Sequence, residues 1–456
     1  MYVVLVDFLP IIMFVALGVL LFSGYPVAFV LGGVGLGFGL IGYALDVFRL
    51  IEFYNLLPRI WGGIAENLVL VAVPMFVFMG TMLERSGVAE DLLHALQVMM
   101  RRIPGGLALA VTVMGTIMAA TTGIIGASVV MITLLALPVM LERRYNTELA
   151  TGTIAASGTL GILIPPSIML VIMADLLSIS VGNLFVGALF PGLLLSGLYF
   201  AYIWFLSHLR PGLAPPLPAA VGPETAGGLA RMVAVSFIPP AFLILLVLGS
   251  IFAGWATPTE AAGVGAAGAM LLAALNGRLT WPVLSDVAER TALTGSMIFF
   301  IFIGATAFSY VFRSLGGDYI VEDLILGSGL GAWGILLLLM AVIFFLGFFF
   351  DWVEITLIVL PVFTPIVRVL DFGDHVPEFE KVYWFAILVA VNLQTSFLTP
   401  PFGFALFYMK GVAPPGVALS HIYRGIVPFV ALQVFGLILV IAFPEIALWL
   451  PRVLLD

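Results

Sequence analysis

Two carboxylates, Asp351 and Glu354, lie within an otherwise apolar stretch of the chain, residues 330–369. An ionisable side chain inside a membrane-length apolar segment is costly, and it marks a candidate functional site. The alternative is an interfacial residue whose side chain reaches the lipid headgroups. The nearest basic residues in sequence, Arg368 and Lys381, lie at the end of the stretch, so a bound cation is the more economical partner for Asp351.

Two double prolines interrupt apolar segments that are long enough to span a membrane. Pro165-Pro166 falls within residues 148–177, and Pro400-Pro401 falls within 381–409. Proline removes a backbone donor and disfavours helix at the preceding residue, so each pair predicts a broken helix. Broken backbone at membrane depth is tolerated only where protein buries it or where it lines a wet cavity. A kink for helix packing is the alternative, but the freed carbonyls and nearby hydroxyl groups are hard ligands that suit a small cation.

A third candidate site is a run of small residues at the centre of the apolar stretch 104–141. It extends from Thr121 to Ser128 and contains Gly123 and Gly126. Glycine permits a tight turn, and a helix that begins near Ser128 would offer free backbone N–H groups to an anion. Close packing between helices is the alternative explanation of these small residues.

The composition shows which elements must position these residues. Of 456 residues, 62% are hydrophobic and 9% are charged, whereas soluble domains carry about 25% charged residues. The whole chain therefore has the composition of an all-α polytopic membrane domain. Apolar windows predict spans near residues 8–23, 26–45, 68–84, 148–177, 183–207, 232–253, 259–276, 295–313, 381–409 and 421–443. The chain has no cysteine, and its net charge of −8 forms no basic patch for nucleic acid.

The chain is divided by a linker rich in proline, alanine and glycine, residues 209–228. It separates two similar halves, residues 1–208 and 229–456, and the similarity indicates an internal repeat. The matching prolines are Pro26 with Pro258, Pro138 with Pro361, and Pro165-Pro166 with Pro400-Pro401.

Charge predicts that the repeats are inverted. Arg101-Arg102 and Arg143-Arg144 flank 104–141, which places both of its ends in the cytoplasm and predicts a re-entrant hairpin. The stretch 330–369 is followed by an acidic loop suited to the outer face. Two hairpins that enter from opposite sides are typical of secondary transporters, and counting spans from these anchors places both termini outside. An ion channel or an intramembrane hydrolase is the alternative class, but no continuous polar stripe and no nucleophile–base motif is present, so we do not expect an enzyme.

The residues around both breaks and around the carboxylate pair resemble a known family. Gly152–Pro166, Phe350–Thr356 and Gln394–Gly403 look like the large membrane subunit of TRAP (tripartite ATP-independent periplasmic) transporters. The resemblance extends over nearly the whole chain. It is strongest to the branch labelled mannitol/chloroaromatic, whose members handle small organic carboxylates.

The resemblance implies a site at which each hairpin tip meets a broken helix. One sodium ion would bind at Gly126, Ser128, Ser157, Gly158, Thr159 and Gly161, and another at Asp351, Gln394, Thr395, Ser396 and Thr399. The substrate would lie at Thr121, Thr122, Pro165, Pro166, Glu354, Pro400 and Pro401.

The resemblance also implies a mechanism and partners. Such proteins lie in the bacterial inner membrane and work as elevators, in which a transport domain slides against a scaffold. They act with a small four-span membrane subunit and with a periplasmic binding protein that delivers the carboxylate. Sodium is the coupling ion, and no other cofactor is implied.

Overall fold

The computed structural model describes residues 8–123, 125–218, 222–223, 225–400 and 403–455, and no strand occurs among them. The α-helices are α1 (Leu9–Leu21), α2 (Val27–Ala44), α3 (Leu56–Ile60), α4 (Ala72–Arg85), α5 (Val88–Met99), α6 (Gly106–Thr122), α7 (Ile125–Glu142), α8 (Thr147–Thr159), α9 (Ile168–Leu177), α10 (Val181–Leu209), α11 (Ala226–Phe252), α12 (Pro258–Leu275), α13 (Trp281–Ser314), α14 (Gly317–Leu326), α15 (Ala332–Leu346), α16 (Trp352–Val369), α17 (Lys381–Leu398), α18 (Phe404–Val412), α19 (Leu419–Ala442) and α20 (Glu445–Leu455).

The expected all-α polytopic fold is confirmed. Within the described ranges, ten helical segments are long and apolar enough to cross a membrane. The span predicted at 295–313 is the C-terminal part of the 34-residue helix α13. Helices α5, α14 and α20 were not predicted, because 10 to 12 residues of amphipathic sequence are too short to read as spans.

The first hairpin consists of α6 and α7. Gly123 ends α6 with a φ of 58°, a left-handed conformation that glycine adopts without strain, and α7 begins at Ile125. At the open end, the Tyr145 hydroxyl accepts a hydrogen bond of 3.1 Å from the Leu107 amide, which joins the end of α7 to the start of α6.

The second hairpin consists of α15 and α16, joined by residues 347–351. At the end opposite the tip, aromatic contacts connect the start of α15 to the segment after α16. The ring of Trp333 lies 5.2 Å from that of Phe372 and 4.9 Å from that of His375, measured between centroids. Both limbs therefore begin and end at one face of the molecule.

Helix α10 shows that the two hairpins open at opposite faces. Arg368, at the end of α16, donates a hydrogen bond of 3.0 Å to the Leu177 carbonyl, just before α10 begins. Gly105, just before α6, lies against Ser207 near the far end of α10. A helix of 29 residues is about 43 Å long, so these two open ends are separated by a membrane thickness.

Both double prolines coincide with interrupted helices. In the first half, α8 continues into a short 3₁₀-helix at Leu160–Ile162, and α9 begins after Ser167. In the second half, α17 ends at Leu398 and α18 begins at Phe404; residues 401–402 lie outside the described residues. The order of hairpin and interrupted helix is thus the same on both sides of the linker.

The helices pack in two groups. In one group α2 packs along α13, and α4 packs along α12. In the other, α8 packs along α19 and against both limbs of the first hairpin, and α17 packs against the second hairpin. Contacts of α4 with α6 and of α13 with α16 join the groups. The hairpin tips and the helix breaks all belong to the second group.

Candidate functional site

Asp351 occupies the turn at the tip of the second hairpin. It is the N-cap residue of α16, and its carboxylate accepts a hydrogen bond of 2.8 Å from the Trp352 amide. Aspartate is among the preferred N-cap residues because it satisfies an amide that the helix leaves free. Local capping therefore explains the position of the side chain, but it does not neutralise the charge.

Glu354 lies in the first turn of α16 and is 9% exposed. Its Oε2 atom has no hydrogen-bond partner among the described residues, and neither Glu354 nor Asp351 forms an ion pair with any of them. The basic residues nearest in sequence point elsewhere: the Lys381 ammonium donates to the carbonyls of Arg368 and Leu370, at 2.8 and 2.7 Å. The second tip thus holds two adjacent carboxylates that pair with no cationic side chain in the described part of the chain.

Tyr408 contacts the first hairpin tip and lies in the neighbourhood of the second. It lies on α18, beyond the second break, close enough to Asp351 and Glu354 to be influenced by their charges. Its ring also lies against Gly126, the second residue of α7, where an added Cβ would come within 3.1 Å of two ring carbons. The tip of the first hairpin therefore packs against the half-helix that follows the second break.

Each hairpin approaches its own interrupted helix through a glycine–serine contact. A Cβ at Gly115 of α6 would lie 2.6 Å from the Cβ of Ser157, and a Cβ at Gly347 would overlap the hydroxyl of Ser396. Both serines lie two residues before the end of their helix, α8 or α17. Absence of a side chain at the glycine is what lets the hairpin backbone reach the serine.

The predicted residues of the first sodium site lie together at the first hairpin and break. Ser157 is buried and its hydroxyl has no partner among the described residues, whereas the Thr159 hydroxyl donates 2.9 Å to the Ala156 carbonyl. Gly158 contacts Val129 of α7. Ser128, the residue before Val129, is buried. Helix α7 begins three residues earlier than expected, at Ile125. Gly161 lies in the 3₁₀-helix, and Pro165 and Pro166, which were predicted for the substrate, are buried at the same break.

Apart from Asp351, at the hairpin tip, the predicted residues of the second sodium site lie at the end of α17. Both amide atoms of the fully buried Gln394 lack a partner among the described residues. The hydroxyls of Thr395, Ser396 and Thr399 each donate to a backbone carbonyl within one helical turn, which leaves their oxygen lone pairs free to accept. Pro400 is half-buried. Pro401 lies outside the described residues, as do the side chains of Thr121 and Thr122.

The helix ends give the site its electrostatics. The second limbs, α7 and α16, begin at the tips, and the half-helices α9 and α18 begin at the breaks. A helix N-terminus presents free N–H groups and a partial positive charge, whereas α8 and α17 end at the breaks and present carbonyl oxygens and a partial negative charge there. The arrangement can thus hold a cation at the carbonyls and hydroxyls and an anion at the N-termini.

Sequence reasoning missed three residues of this site. Gly115 and Gly347 are 232 residues apart, the same offset that relates Pro26 to Pro258, so the repeat contained the signal. Tyr408 carried no comparable signal, because one tyrosine in an apolar half-helix does not depart from the pattern around it.

Comparison with known proteins gives the same family as the resemblance found in the sequence. The family described as "Tripartite ATP-independent periplasmic transporter, DctM component" matches residues 14–446. The "C4-dicarboxylate TRAP transporter large permease protein DctM" of Vibrio cholerae is 27% identical over 87% of this chain and 88% of its own length. The "Isethionate TRAP transporter permease protein DctMQ" of Oleidesulfovibrio alaskensis is 28% identical over 93% of this chain and 65% of its own length. In fold, the chain is similar to the Alcanivorax borkumensis YdaH transporter, with a TM-score of 0.61 and 14% sequence identity over 86% of this chain and 89% of that one.

Proposed function

Because the chain belongs to the family of the DctM component of TRAP transporters, we propose that it is a sodium-coupled permease subunit that imports a small organic carboxylate by an elevator mechanism. It is a multi-pass protein of the bacterial inner membrane and a transport component, not an enzyme. The family membership gives the large permease subunit, and the coupling ion, the substrate and the mechanism are the proposed part.

One observation carries the sodium coupling: Asp351 and Glu354 lie together at the second tip without a cationic side chain among the described residues. Burying an uncompensated carboxylate costs several kcal/mol, so a bound cation stabilises this tip. The ligands available nearby are carboxylate, amide, hydroxyl and carbonyl oxygens, which suit a hard cation such as sodium.

We assign two sodium ions to the two tip–break contacts. The first takes Gly126 and Ser128 with Ser157–Gly161, and the second takes Asp351 with Gln394–Ser396 and Thr399. The unpartnered Ser157 hydroxyl and Gln394 amide support this assignment, since buried polar atoms are normally hydrogen-bonded or bound to an ion.

The substrate is an anion whose carboxylate binds beside these ions. Glu354 and Asp351 repel an anion until sodium neutralises them. A bound anion in turn favours binding of sodium, so each ligand strengthens binding of the other. Two relatives carry the names of anionic solutes, C4-dicarboxylate and isethionate, and these names support the charge of the substrate more than its identity. The mannitol/chloroaromatic branch remains part of the proposal, and it favours small organic carboxylates.

The two packing groups correspond to the scaffold and the transport domain of the elevator. The scaffold contains α2, α4, α12 and α13, and the transport domain contains both hairpins and both interrupted helices. We expect a small four-span subunit to brace the scaffold and a periplasmic binding protein to deliver the substrate. A relative named DctMQ, of which this chain matches 65%, supports a second membrane segment as the partner.

Reconstitution in liposomes tests the proposal. The chain with its small subunit and binding protein should take up a radiolabelled carboxylate saturably when sodium is present outside, and not when choline replaces it. The chain alone should transport poorly, because most of it lies in the membrane. Uptake that is linear in solute concentration would indicate a channel, and uptake unaffected by choline would remove the coupling.

A further inference from the structure

A cavity of about 670 Å³ lies between the two packing groups, away from the glycine–serine contacts. One wall is formed by residues 58–67 and by α13, and the other by the end of α9 and the middle of α16. It lies at the face at which α10 begins, which is the outer face in the predicted topology. The site residues predicted from the sequence do not line it.

Two arginines face this cavity from the wall formed by residues 58–67 and α13. Arg59 lies over the Tyr310 ring, 4.8 Å from its centroid, and has no carboxylate partner among the described residues. The Tyr310 hydroxyl accepts a hydrogen bond of 2.9 Å from Asn55, which fixes the ring under the guanidinium. A cation–π contact holds Arg59 in place without neutralising it.

The second arginine, Arg313, is positioned by the backbone of α16. It donates 3.0 Å to the Pro361 carbonyl and lies 3.3 Å from Asp318, which is outside the cavity lining. The acidic residue of the lining is Asp175, whose carboxylate accepts 2.7 Å from Asn67. The described lining thus carries two guanidinium groups and one carboxylate. Asp318 offsets the charge of Arg313 from outside the lining, so Arg59 supplies the unpaired positive charge that attracts an anion, and Arg313 is a second donor.

The cavity leads toward the hairpin tip. Leu357 and Pro361 of α16 line it, and Glu354 lies on the same face of that helix, one turn before Leu357. The part of the lining formed by Pro361 is therefore just under two helical turns, about 10 Å, from Glu354 along α16.

We propose that Arg59 and Arg313 form a second anion site, at which the scaffold receives the carboxylate of the solute before it reaches the hairpin tips. Guanidinium groups bind carboxylates through paired hydrogen bonds and do not require a metal ion. Binding here is independent of sodium, in contrast to binding at the tips. The inference rests on the proposed function in one respect: it takes the solute to be a carboxylate.

Cysteine protection tests this site without a transport assay. The chain contains no cysteine, so a Ser309→Cys variant carries one thiol in the cavity lining. In vesicles that contain the full chain, succinate should slow the labelling of this thiol by N-ethylmaleimide at least about threefold, in sodium and in choline buffer alike. Uncharged succinamide should not slow it. A Ser285→Cys variant, on the same helix but outside the lining, should be labelled at one rate in all conditions.

Arginine variants in the Ser309→Cys background complete the test. Arg59→Gln and Arg313→Gln should each weaken the protection by succinate about tenfold in concentration, whereas Arg59→Lys should retain part of it. Arg290→Gln, on the same helix and paired with Asp286, should leave it unchanged. Protection that survives both glutamine variants, or that requires sodium, overturns the proposal.

The outcome is separable from that of the proposed function. Protection without sodium-dependent uptake retains the arginine site and removes the coupled transporter. Uptake without protection retains the transporter and removes the arginine site.

Discussion

Gly347 lies so close to Ser396 that a Cβ added at position 347 would overlap the serine hydroxyl. Gly347 has a φ of −65°, which every residue adopts readily, so only this contact requires glycine. Gly115 and Ser157 form the equivalent contact in the first half. The distance between each hairpin and its broken helix is therefore set by one glycine, beside the oxygens assigned to sodium.

We expect Gly347→Ala to displace Ser396 and to destabilise the protein by about 1–3 kcal/mol, the usual cost of overpacking. The concentration of sodium for half-maximal uptake should rise as well, because the displaced hydroxyl belongs to the assigned site. Gly331→Ala is the control, since a Cβ there meets no atom within 4 Å. Thermal unfolding in detergent and sodium titration of uptake measure the two effects. If both variants have the same unfolding temperature and the same sodium response, the protein accommodates a Cβ at position 347 without displacing Ser396.

Arg452 stabilises the position of the last helix, α20, through ion pairs. Its Nε atom donates 2.7 Å to Glu380 and its Nη1 atom 2.9 Å to Glu445, and these hydrogen bonds hold the pKa of Arg452 above its usual range. The Glu380 side chain is 8% exposed, so Arg452→Met should leave a buried charge unpaired and cost about 3 kcal/mol. Arg424→Met removes an exposed pair at 3.7 Å and should cost less than about 1 kcal/mol. Thermal unfolding distinguishes the two variants. Similar unfolding midpoints would show that the ion pair of Arg452 with Glu380 does not hold α20 in place.

The sequence predicted the hairpins and breaks better than the short helices. Double prolines and apolar length are local signals, and they identified the interruptions at 165–166 and 400–401. The hairpin 104–141 was predicted from its flanking arginines, and it matches α6 and α7 within a few residues. The 14 N-terminal residues of α13 were missed because Asp286, Glu289 and Arg290 break the apolar window, although they extend the same helix.

Contacts between distant segments account for what the sequence did not predict. Tyr408 becomes part of the site only because α18 packs on α7, and Arg59 and Arg313 line one cavity only because α3 lies beside α13. Neither packing leaves a periodic pattern in the sequence. Glu354 was predicted from its place in an apolar stretch, but its unpartnered oxygen is a property of the folded neighbourhood.

The topology is testable because the chain has no cysteine. Gly212→Cys lies in the linker, where a Cβ meets no atom within 4 Å, and Asp374→Cys lies in the exposed loop after the second hairpin. We expect an impermeant thiol reagent added outside intact cells to label position 374 and not 212. The reverse pattern would invert the assigned orientation while leaving the opposed hairpins intact.

Asp351→Asn should preserve the fold, because asparagine also caps helices and can accept the Trp352 amide. Loss of the charge should raise the sodium concentration for half-maximal uptake about tenfold, equivalent to one charge-assisted contact. Asp371→Asn is a matched control: this carboxylate accepts 2.8 Å from the Gly373 amide in an exposed loop. If Asp351→Asn keeps the sodium response of the unmodified protein, Asp351 serves only as a cap and the second ion site is wrongly assigned.

Glu354→Gln separates the charge of the second tip from its packing. The substitution is nearly isosteric and removes a buried carboxylate that has an unpartnered oxygen and a like-charged neighbour. Without sodium it should therefore stabilise the protein, by about 1–3 kcal/mol, while sodium-coupled uptake falls.

In the unmodified protein sodium should raise the melting temperature relative to choline, because it binds the folded tip and not the unfolded chain. In Glu354→Gln that difference should shrink, since the cation then compensates one carboxylate instead of two. Glu378→Gln, whose side chain is 89% exposed, should change neither quantity. A lower melting temperature for Glu354→Gln in choline would mean that the negative charge of Glu354 is already compensated within the folded chain, and the need for a bound cation at this tip would disappear.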